Sequence, residues 1–222
     1  MDYNSKAKLK VLELYAGTRS IGKAFEAHGH KVCSVEWDPS FEDIDLCMDV
    51  NDLTIELITE KLGGLPDVVW MSPDCTTYSV AAISTHRMRE EDGNLAPKSD
   101  YAKQCDRTNE FTLDLIKRLN PTYFFIENPR GGMRKMRFMK DLPRYTVTYC
   151  QYGDTRMKPT DLWTNHPDPK FLPPCHNGDP CHTSAPRGSR TGTQGLKGSK
   201  ERSRIPPRLC EHIVAICEEG RR

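Results

Sequence analysis

Short apolar runs alternate with amphipathic stretches along the first two-thirds of the chain. Short runs bounded by turn residues are typical of strands, and apolar residues that recur every three or four positions are typical of helices. Strands are predicted over residues 8–14, 31–36, 46–50, 66–71 and 121–126, and helices over residues 20–28, 53–62, 100–119 and 207–219. This alternation predicts an α/β fold, in which helices cover both faces of a mostly parallel sheet.

The helix boundaries and faces have their own signals. We expect Ser20 to cap the first helix and Gly29 to end it. The apolar residues of the 100–119 helix fall on one face, namely Phe111, Leu115, Ile116 and Leu119. Those of the last helix do the same, namely Leu209, Ile213, Ile216 and Cys217. Both helices are therefore expected to pack on the sheet through these faces.

Two stretches depart from the simple alternation. Residues 76–100 show no clean periodicity and many polar side chains, which predicts a long mobile loop or a broken helix of functional importance. Residues 145–152 and 161–164 read as two further strands, joined in a hairpin.

The overall composition indicates little about function, but the distribution of charge along the chain is informative. The 222 residues carry a net charge of +1, and no apolar run approaches membrane-spanning length. Nine cysteines, an odd number, without a signal pattern favour a reducing, intracellular compartment and no membrane. Residues 183–208 hold seven basic residues and one acid, a charge of +6. This segment is either a phosphate-contacting element or a solvated linker.

The ends of the predicted strands carry chemically useful residues. The turn at Gly17 lets backbone approach a ligand, Glu36 suits a ribose diol, and Trp37 suits an adenine face. Cys75 follows a buried strand as a candidate nucleophile, and Glu127 ends another as a candidate acid. Each of these residues, taken alone, also has an ordinary structural explanation. Gly17 fits a tight turn, Cys75 fits a buried apolar thiol, and Glu127 fits an acid paired with a nearby arginine.

A separate cluster of possible metal ligands lies near residue 180. Cys175, Cys181 and His182 are placed at short spacing in a turn-rich stretch. Zinc takes Cys and His ligands in such stretches, and Cys150 or His166 could complete the shell. The alternative is a surface loop with reduced thiols.

In their order along the chain, the strand ends resemble the motifs of the cytosine-C5 methyltransferases, which use S-adenosylmethionine. The matching stretches are Tyr15-Ala16-Gly17, Glu36-Trp37-Asp38, Asp49-Val50, Ser72-Pro73-Asp74-Cys75, Glu127-Asn128-Pro129, the arginine-containing motif from Gln151 to Lys158 and the last motif around Arg204-Ile205-Pro206-Pro207. The resemblance covers nearly the whole chain. It departs from the family where Arg19-Ser20 replaces Gly-Gly, where Asp74 replaces the second proline of Pro-Pro-Cys, and where Thr160 stands in place of an arginine.

The resemblance implies a Rossmann-like class I methyltransferase fold and a set of site residues. S-adenosylmethionine would be held by Tyr15, Ala16, Gly17, Thr18, Glu36, Trp37, Asp49, Val50 and Pro73. Catalysis would rest on Cys75, Glu127 and Arg156. The catalytic domain would comprise residues 1–167 and 204–222. A short loop-rich insert over 168–203 would serve recognition, with Arg187, Arg190 and Lys197 on DNA and possible zinc at Cys175, Cys181 and His182.

The implied reaction is methyl transfer to C5 of cytosine in DNA. A Cys75 thiolate would add to C6 of a flipped-out base, and Glu127 would donate a proton at N3. Such a compact enzyme suggests a monomer in the cytoplasm of a bacterium or of a virus-infected cell. Alternatives are the same chemistry on RNA or a free nucleotide, a non-catalytic binding module, and a nicotinamide-dependent dehydrogenase. The last leaves Cys75 and Glu127 unexplained.

Overall fold

A computed structural model of the protein describes residues 8–184 and 198–220. The strands are β1 (Lys10–Leu14), β2 (Lys31–Glu36), β3 (Leu46–Cys47), β4 (Val68–Met71), β5 (Arg87–Arg89), β6 (Leu95–Pro97), β7 (Tyr123–Pro129), β8 (Arg144–Thr148) and β9 (Pro159–Thr164). The α-helices are α1 (Ser20–Ala27), α2 (Ile55–Leu62), α3 (Ile83–His86), α4 (Asp100–Leu119), α5 (Ser199–Ser203) and α6 (Pro207–Glu219). Short 3₁₀ turns cover Val50–Asp52, Thr76–Tyr78, Gly132–Lys135, Arg137–Met139 and Tyr149–Tyr152.

Seven strands form one sheet in the order β3-β2-β1-β4-β7-β9-β8. The pairs from β3 to β7 are parallel, and β9 is antiparallel to both β7 and β8. The predicted hairpin of the last two strands is therefore confirmed. β5 and β6 form a separate two-stranded ribbon.

The core is divided by the sheet into two apolar clusters, because successive side chains of a strand point to opposite faces. On one face, Leu12 and Val69 pack with α2 and α4, through residues such as Leu115. On the other, Val11 and Trp70 pack with α1 and α6. The α/β class, with a mostly parallel sheet and helices on both faces, is confirmed.

Several predicted boundaries were wrong, and two of them have a clear local cause. Ser20 does not cap α1: it is the first helical residue, and the cap position belongs to Arg19, which adopts φ 55° and makes no capping side-chain bond. Strand β3 ends at Cys47 instead of continuing to residue 50, because Asp49 caps a 3₁₀ turn by accepting the backbone N–H of Asn51.

The 76–100 segment has defined structure where a mobile loop or broken helix was expected. It forms a 3₁₀ turn, α3 and the β5–β6 ribbon. Arg87 anchors it with two buried hydrogen bonds to Asp106 of α4, each of 2.8–2.9 Å, and lies 4.0 Å from the ring centre of Tyr78. A buried charge requires a partner of this kind, and a search for periodicity does not detect it.

The stretch from Asn165 to Ser184 contains no helix or strand, in line with the expected loop-rich insert. No described helix is long and apolar enough to span a membrane.

Candidate functional site

The carboxyl ends of β1, β2, β4 and β7 meet at one edge, because parallel strands end together. Ligands of open α/β sheets bind at this edge. A cavity of about 340 Å³ lies there, and six residues predicted to hold the cofactor line it. They are Tyr15, Glu36, Trp37, Asp49, Val50 and Pro73.

Glu36 organises the first wall of this cavity. Its carboxylate is buried and accepts the backbone N–H groups of Gly17, Trp37 and Asp38 at 3.0–3.1 Å. A carboxylate has about four lone-pair sites, so one remains for a ligand hydroxyl. The neighbouring Trp37 is 69% exposed and offers an aromatic face at the cavity.

Sequence reasoning missed the opposite wall, which α4 supplies. Tyr101, Gln104, Cys105 and Thr108 line the cavity from this helix. A signal was present: these positions follow the i, i+3, i+4, i+7 spacing of one helix face.

The remaining predicted cofactor residues lie beside this cavity. Gly17 and Thr18 line a second, open cavity of about 970 Å³, together with Arg156 and the cations Lys200 and Arg204. Gly17 adopts φ 48°, a left-handed conformation that favours glycine. Ala16 is buried at the same turn and donates its N–H to the carbonyl of Val35.

Cys75 and Glu127 come from adjacent strands. Met71 of β4 pairs in register with Ile126 of β7, so both residues follow at the same end of the sheet. The amide of Asn128 donates to the carbonyl of Pro73 at 3.0 Å and joins the two strand ends. The predicted nucleophile and the predicted acid therefore share one site.

The electrostatics of this site favour the thiol over the thiolate. Burial raises the pKa of Cys75 from 9.0 to about 11, and the nearby carboxylates of Glu127 and Asp74 add to the effect. The charge of Lys158 acts in the opposite direction. Glu127 is buried and accepts a hydrogen bond of 3.1 Å from the hydroxyl of Tyr149.

Arg156 and Lys158 have different surroundings. The Arg156 guanidinium is buried and paired with Asp154, with Nε 3.0 Å from Oδ1. Lys158 donates to the carbonyl of Arg202 at 2.9 Å and lies 4.5 Å from the ring centre of Tyr149. Burial lowers the pKa of Lys158, while the charges of Glu127 and Cys75 raise it.

Cys175, Cys181 and His182 are brought together with Cys150, which lies in the 3₁₀ turn that follows β8. One ligand atom from each lies within 4.8 Å of the others. The alternative fourth residue, His166, is directed elsewhere: its Nε2 lies 3.3 Å from the carbonyl oxygen of Ile216. The predicted DNA contacts Arg187, Arg190 and Lys197 lie outside the described residues.

The chain is similar to a probable DNA (cytosine-5)-methyltransferase of Frog virus 3 (isolate Goorha). The two are 28% identical over 94% of this chain and 100% of the viral protein. This similarity confirms the resemblance to cytosine-C5 methyltransferases that the motifs predicted. The chain matches no protein-family model.

Solved structures of Dnmt2 also match the chain. The S. pombe Dnmt2 methyltransferase is 16% identical and a mutant of Spodoptera frugiperda DNMT2 is 17% identical, each over 71% of this chain with a TM-score of 0.47. The chain spans about half of those two proteins, 49% of each.

Proposed function

We propose that this chain transfers a methyl group from S-adenosylmethionine to C5 of cytosine in DNA. One observation carries the proposal: β4 and β7 bring Cys75 and Glu127 together, and Pro73 and Asp74, which directly precede Cys75, line the candidate cofactor cavity. A dehydrogenase would have no use for this thiol and carboxyl. The name of the viral relative supports DNA as the substrate.

The cavity suits the cofactor. Glu36 retains a lone pair for a ribose hydroxyl, and the exposed Trp37 can stack on adenine. The glycine turn leaves backbone open to the amino-acid part. When bound, S-adenosylmethionine supplies an electrophilic methyl group on its sulfonium.

In the proposed reaction, Cys75 first gives its proton to solvent, and its thiolate forms a bond to C6 of the base. Glu127 donates a proton to N3, so that the electrons displaced from the C5–C6 double bond are stabilised and C5 becomes nucleophilic. Once the methyl group has passed to C5, which leaves the donor sulfur as a neutral thioether, the C5 proton is lost to solvent, the C5–C6 double bond reforms and the Cys75 thiolate is expelled. Cys75 then regains a proton from solvent. The proton on N3 returns to Glu127, so the enzyme is regenerated.

Lys158 is proposed as the cation of this site in place of Arg156. Its charge acts on both Cys75 and Glu127, whereas the guanidinium of Arg156 is occupied by Asp154. Lys158 would stabilise the thiolate and the charge that develops on the base. Arg156 is then assigned a structural role, in which its pairing with Asp154 stabilises the turn before β9.

The base must leave a duplex to reach Cys75, since C6 is covered by stacking. The 76–100 segment begins immediately after this residue. We propose that it contacts the DNA strand around the flipped base, and that residues 168–203 form a small recognition unit apart from the catalytic domain.

Methyl transfer from labelled S-adenosylmethionine tests the function, with duplex DNA, RNA and dCMP offered in parallel. Product analysis by mass spectrometry is expected to find 5-methylcytosine in DNA with the wild-type protein and with Cys47→Ala, and none with Cys75→Ala. Label on RNA or dCMP alone would keep the chemistry and reject the DNA substrate. No label on any substrate, with S-adenosylmethionine binding retained, would favour a binding module.

The covalent step has its own test. A duplex with 5-fluorocytosine should trap the wild-type chain in a denaturation-resistant complex, because fluorine cannot leave as the C5 proton does. Lys158→Met is expected to slow trapping at least tenfold, and Lys158→Arg to restore much of the rate. Equal trapping by Lys158→Met and wild type would reject the role given to this lysine.

A further inference from the structure

We propose that Cys150, Cys175, Cys181 and His182 bind one structural zinc ion. The contacts among their ligand atoms are short. Cys150 Sγ lies 3.0 Å from Cys175 Sγ and 3.6 Å from Cys181 Sγ. Nδ1 of His182 lies 3.7 Å from Cys175 Sγ and 3.6 Å from Cys181 Sγ.

These separations are those of a tetrahedral zinc shell. Zinc bonds of about 2.3 Å to sulfur and about 2.0 Å to nitrogen place the ligand atoms about 3.5–3.8 Å apart. Three of the four contacts are 3.6–3.7 Å, and the shortest, 3.0 Å between Cys150 and Cys175, would lengthen by about 0.8 Å on metal binding. The ligand atoms of all four side chains lie within 4.8 Å of one another.

A surface loop with reduced thiols, the alternative to a metal site, explains the cluster poorly. None of these cysteines is in a disulfide, and thiols are weak hydrogen-bond partners that gain little by gathering around an imidazole. The cluster also has a sulfur contact of the kind seen around metal-bound thiolates, since the amide of Gln151 donates to Cys181 Sγ at 3.8 Å.

The ligand set selects the metal and its role. Thiolates are soft ligands that suit zinc, whereas magnesium and calcium prefer oxygen. Three cysteines and one histidine fill all four positions, as in structural zinc sites, so no position is left for a reacting water. The ion is therefore expected to stabilise the fold and to take no part in bond making.

The position of the ion explains why it would be needed. Cys150 belongs to the 3₁₀ turn after β8, while the other three ligands belong to the stretch from Asn165 to Ser184, which has no helix or strand. That stretch contacts the hairpin through bonds such as Cys175 N to Thr148 Oγ1 at 3.0 Å and Thr183 N to Thr155 O at 2.9 Å. A zinc ion would fasten a segment that lacks a core of its own.

One zinc ligand is the sequence neighbour of the residue that donates a hydrogen bond to Glu127. Tyr149, which donates to Glu127, directly precedes the ligand Cys150. Zinc would thus hold the turn that carries the partner of Glu127. This consequence rests on the proposed function, whereas metal binding itself does not.

Metal content of the full-length chain tests the proposal without any activity assay. Protein produced with zinc and dialysed against metal-free buffer is expected to retain one zinc ion per chain, measured by plasma mass spectrometry. Cobalt in its place should give the intense visible bands of tetrahedral thiolate coordination. Cys181→Ser is expected to lose most of the bound metal and these bands, and Cys47→Ser, which changes another exposed cysteine, to keep both.

Thiol labelling of the wild-type chain provides a second measurement that needs no variant. Cys181 is exposed, yet it should be protected from alkylation until a strong chelator removes the metal, while Cys47 reacts in both conditions. Absence of zinc in folded protein, or full zinc content in Cys181→Ser, would overturn the proposal. Loss of methyl transfer with zinc retained would count against the proposed function alone.

Discussion

The raised pKa of Cys75 makes a quantitative prediction about its reactivity. Because alkylating agents react with the thiolate, the rate follows the fraction of thiolate. At pH 8 a thiol with a pKa of 9.0 is about 10% ionised, whereas one with a pKa of about 11 is about 0.1% ionised. The shift corresponds to about 2.7 kcal/mol against the thiolate, or about a hundredfold in rate.

Iodoacetamide labelling, followed by peptide mass spectrometry, measures this rate. Labelling of Cys75 is expected to rise about tenfold for each pH unit and to continue rising beyond pH 9, provided that circular dichroism shows the chain folded. The pH at which labelling levels off is the useful quantity, because partial burial of the side chain slows reaction at every pH. A plateau at or below pH 9 would refute the reasoning.

Substitutions of the two nearby acids separate the causes of the raised Cys75 pKa. Glu127→Gln removes the neighbouring negative charge and should lower the pKa of Cys75, so labelling at pH 8 rises severalfold. Asp74→Asn removes the weaker of the two acidic influences and should give a smaller rise. Unchanged labelling in both variants would mean that burial alone sets the pKa. In the proposed reaction, substrate binding must therefore lower the cost of forming the thiolate, and the charge of Lys158 would contribute.

Three further predictions concern stability and cofactor binding. Burial raises the pKa of Glu13 from 4.5 to about 7, so between these pH values the folded chain holds a proton that the unfolded chain releases. The free energy of unfolding is therefore expected to fall by about 3 kcal/mol as the pH rises through this interval. Urea unfolding at pH 4.5 and 8 measures this fall, which Glu13→Gln should remove. Equal pH dependence in both proteins would contradict this. Arg87→Met leaves Asp106 buried without its cation and should lower the free energy of unfolding by about 3–5 kcal/mol. Adding Asp106→Asn to the same chain should recover part of this loss. Additive losses in the double variant would reject the pairing. Trp37→Ala should weaken S-adenosylmethionine about tenfold by calorimetry, whereas Trp37→Phe should retain most of the affinity; equal affinity in wild type and Trp37→Ala would show that the ring does not contact adenine.

Much of the fold could be read from local pattern. The bounds of β2, α4 and α6 were predicted to the residue, and the two helices carry clear terminal residues such as Pro207 at the start of α6 and Gly220 at its end. α4, for example, has the Ser99 side chain at its cap and ends at Asn120 in a left-handed conformation. Such signals act within one turn of the chain, so sequence neighbours suffice to define them.

Other features depended on partners distant in sequence. The prediction ended β7 at residue 126, but the strand continues to Pro129 because β9 pairs with it from Phe125↔Thr164 to Pro129↔Thr160. Arg87 shows no local sign of its buried bond to Asp106 in a different element. Hydrogen bonding between strands and pairing of buried charges are set by tertiary neighbours, which no periodicity records.

The features of the candidate site fall into the same two groups. By itself, the sequence determined the order of strands and helices, the residue types at the strand ends and the resemblance that assigns them roles, because these depend on local pattern and order along the chain. Tertiary structure alone placed the charge of Lys158 near Cys75, paired Arg156 with Asp154, gave Glu127 a hydrogen bond from Tyr149, and brought Cys150 rather than His166 into the cysteine–histidine cluster. These are choices among chemically similar residues, and hydrogen bonds, electrostatic effects and metal coordination distinguish them only by distances of a few ångströms.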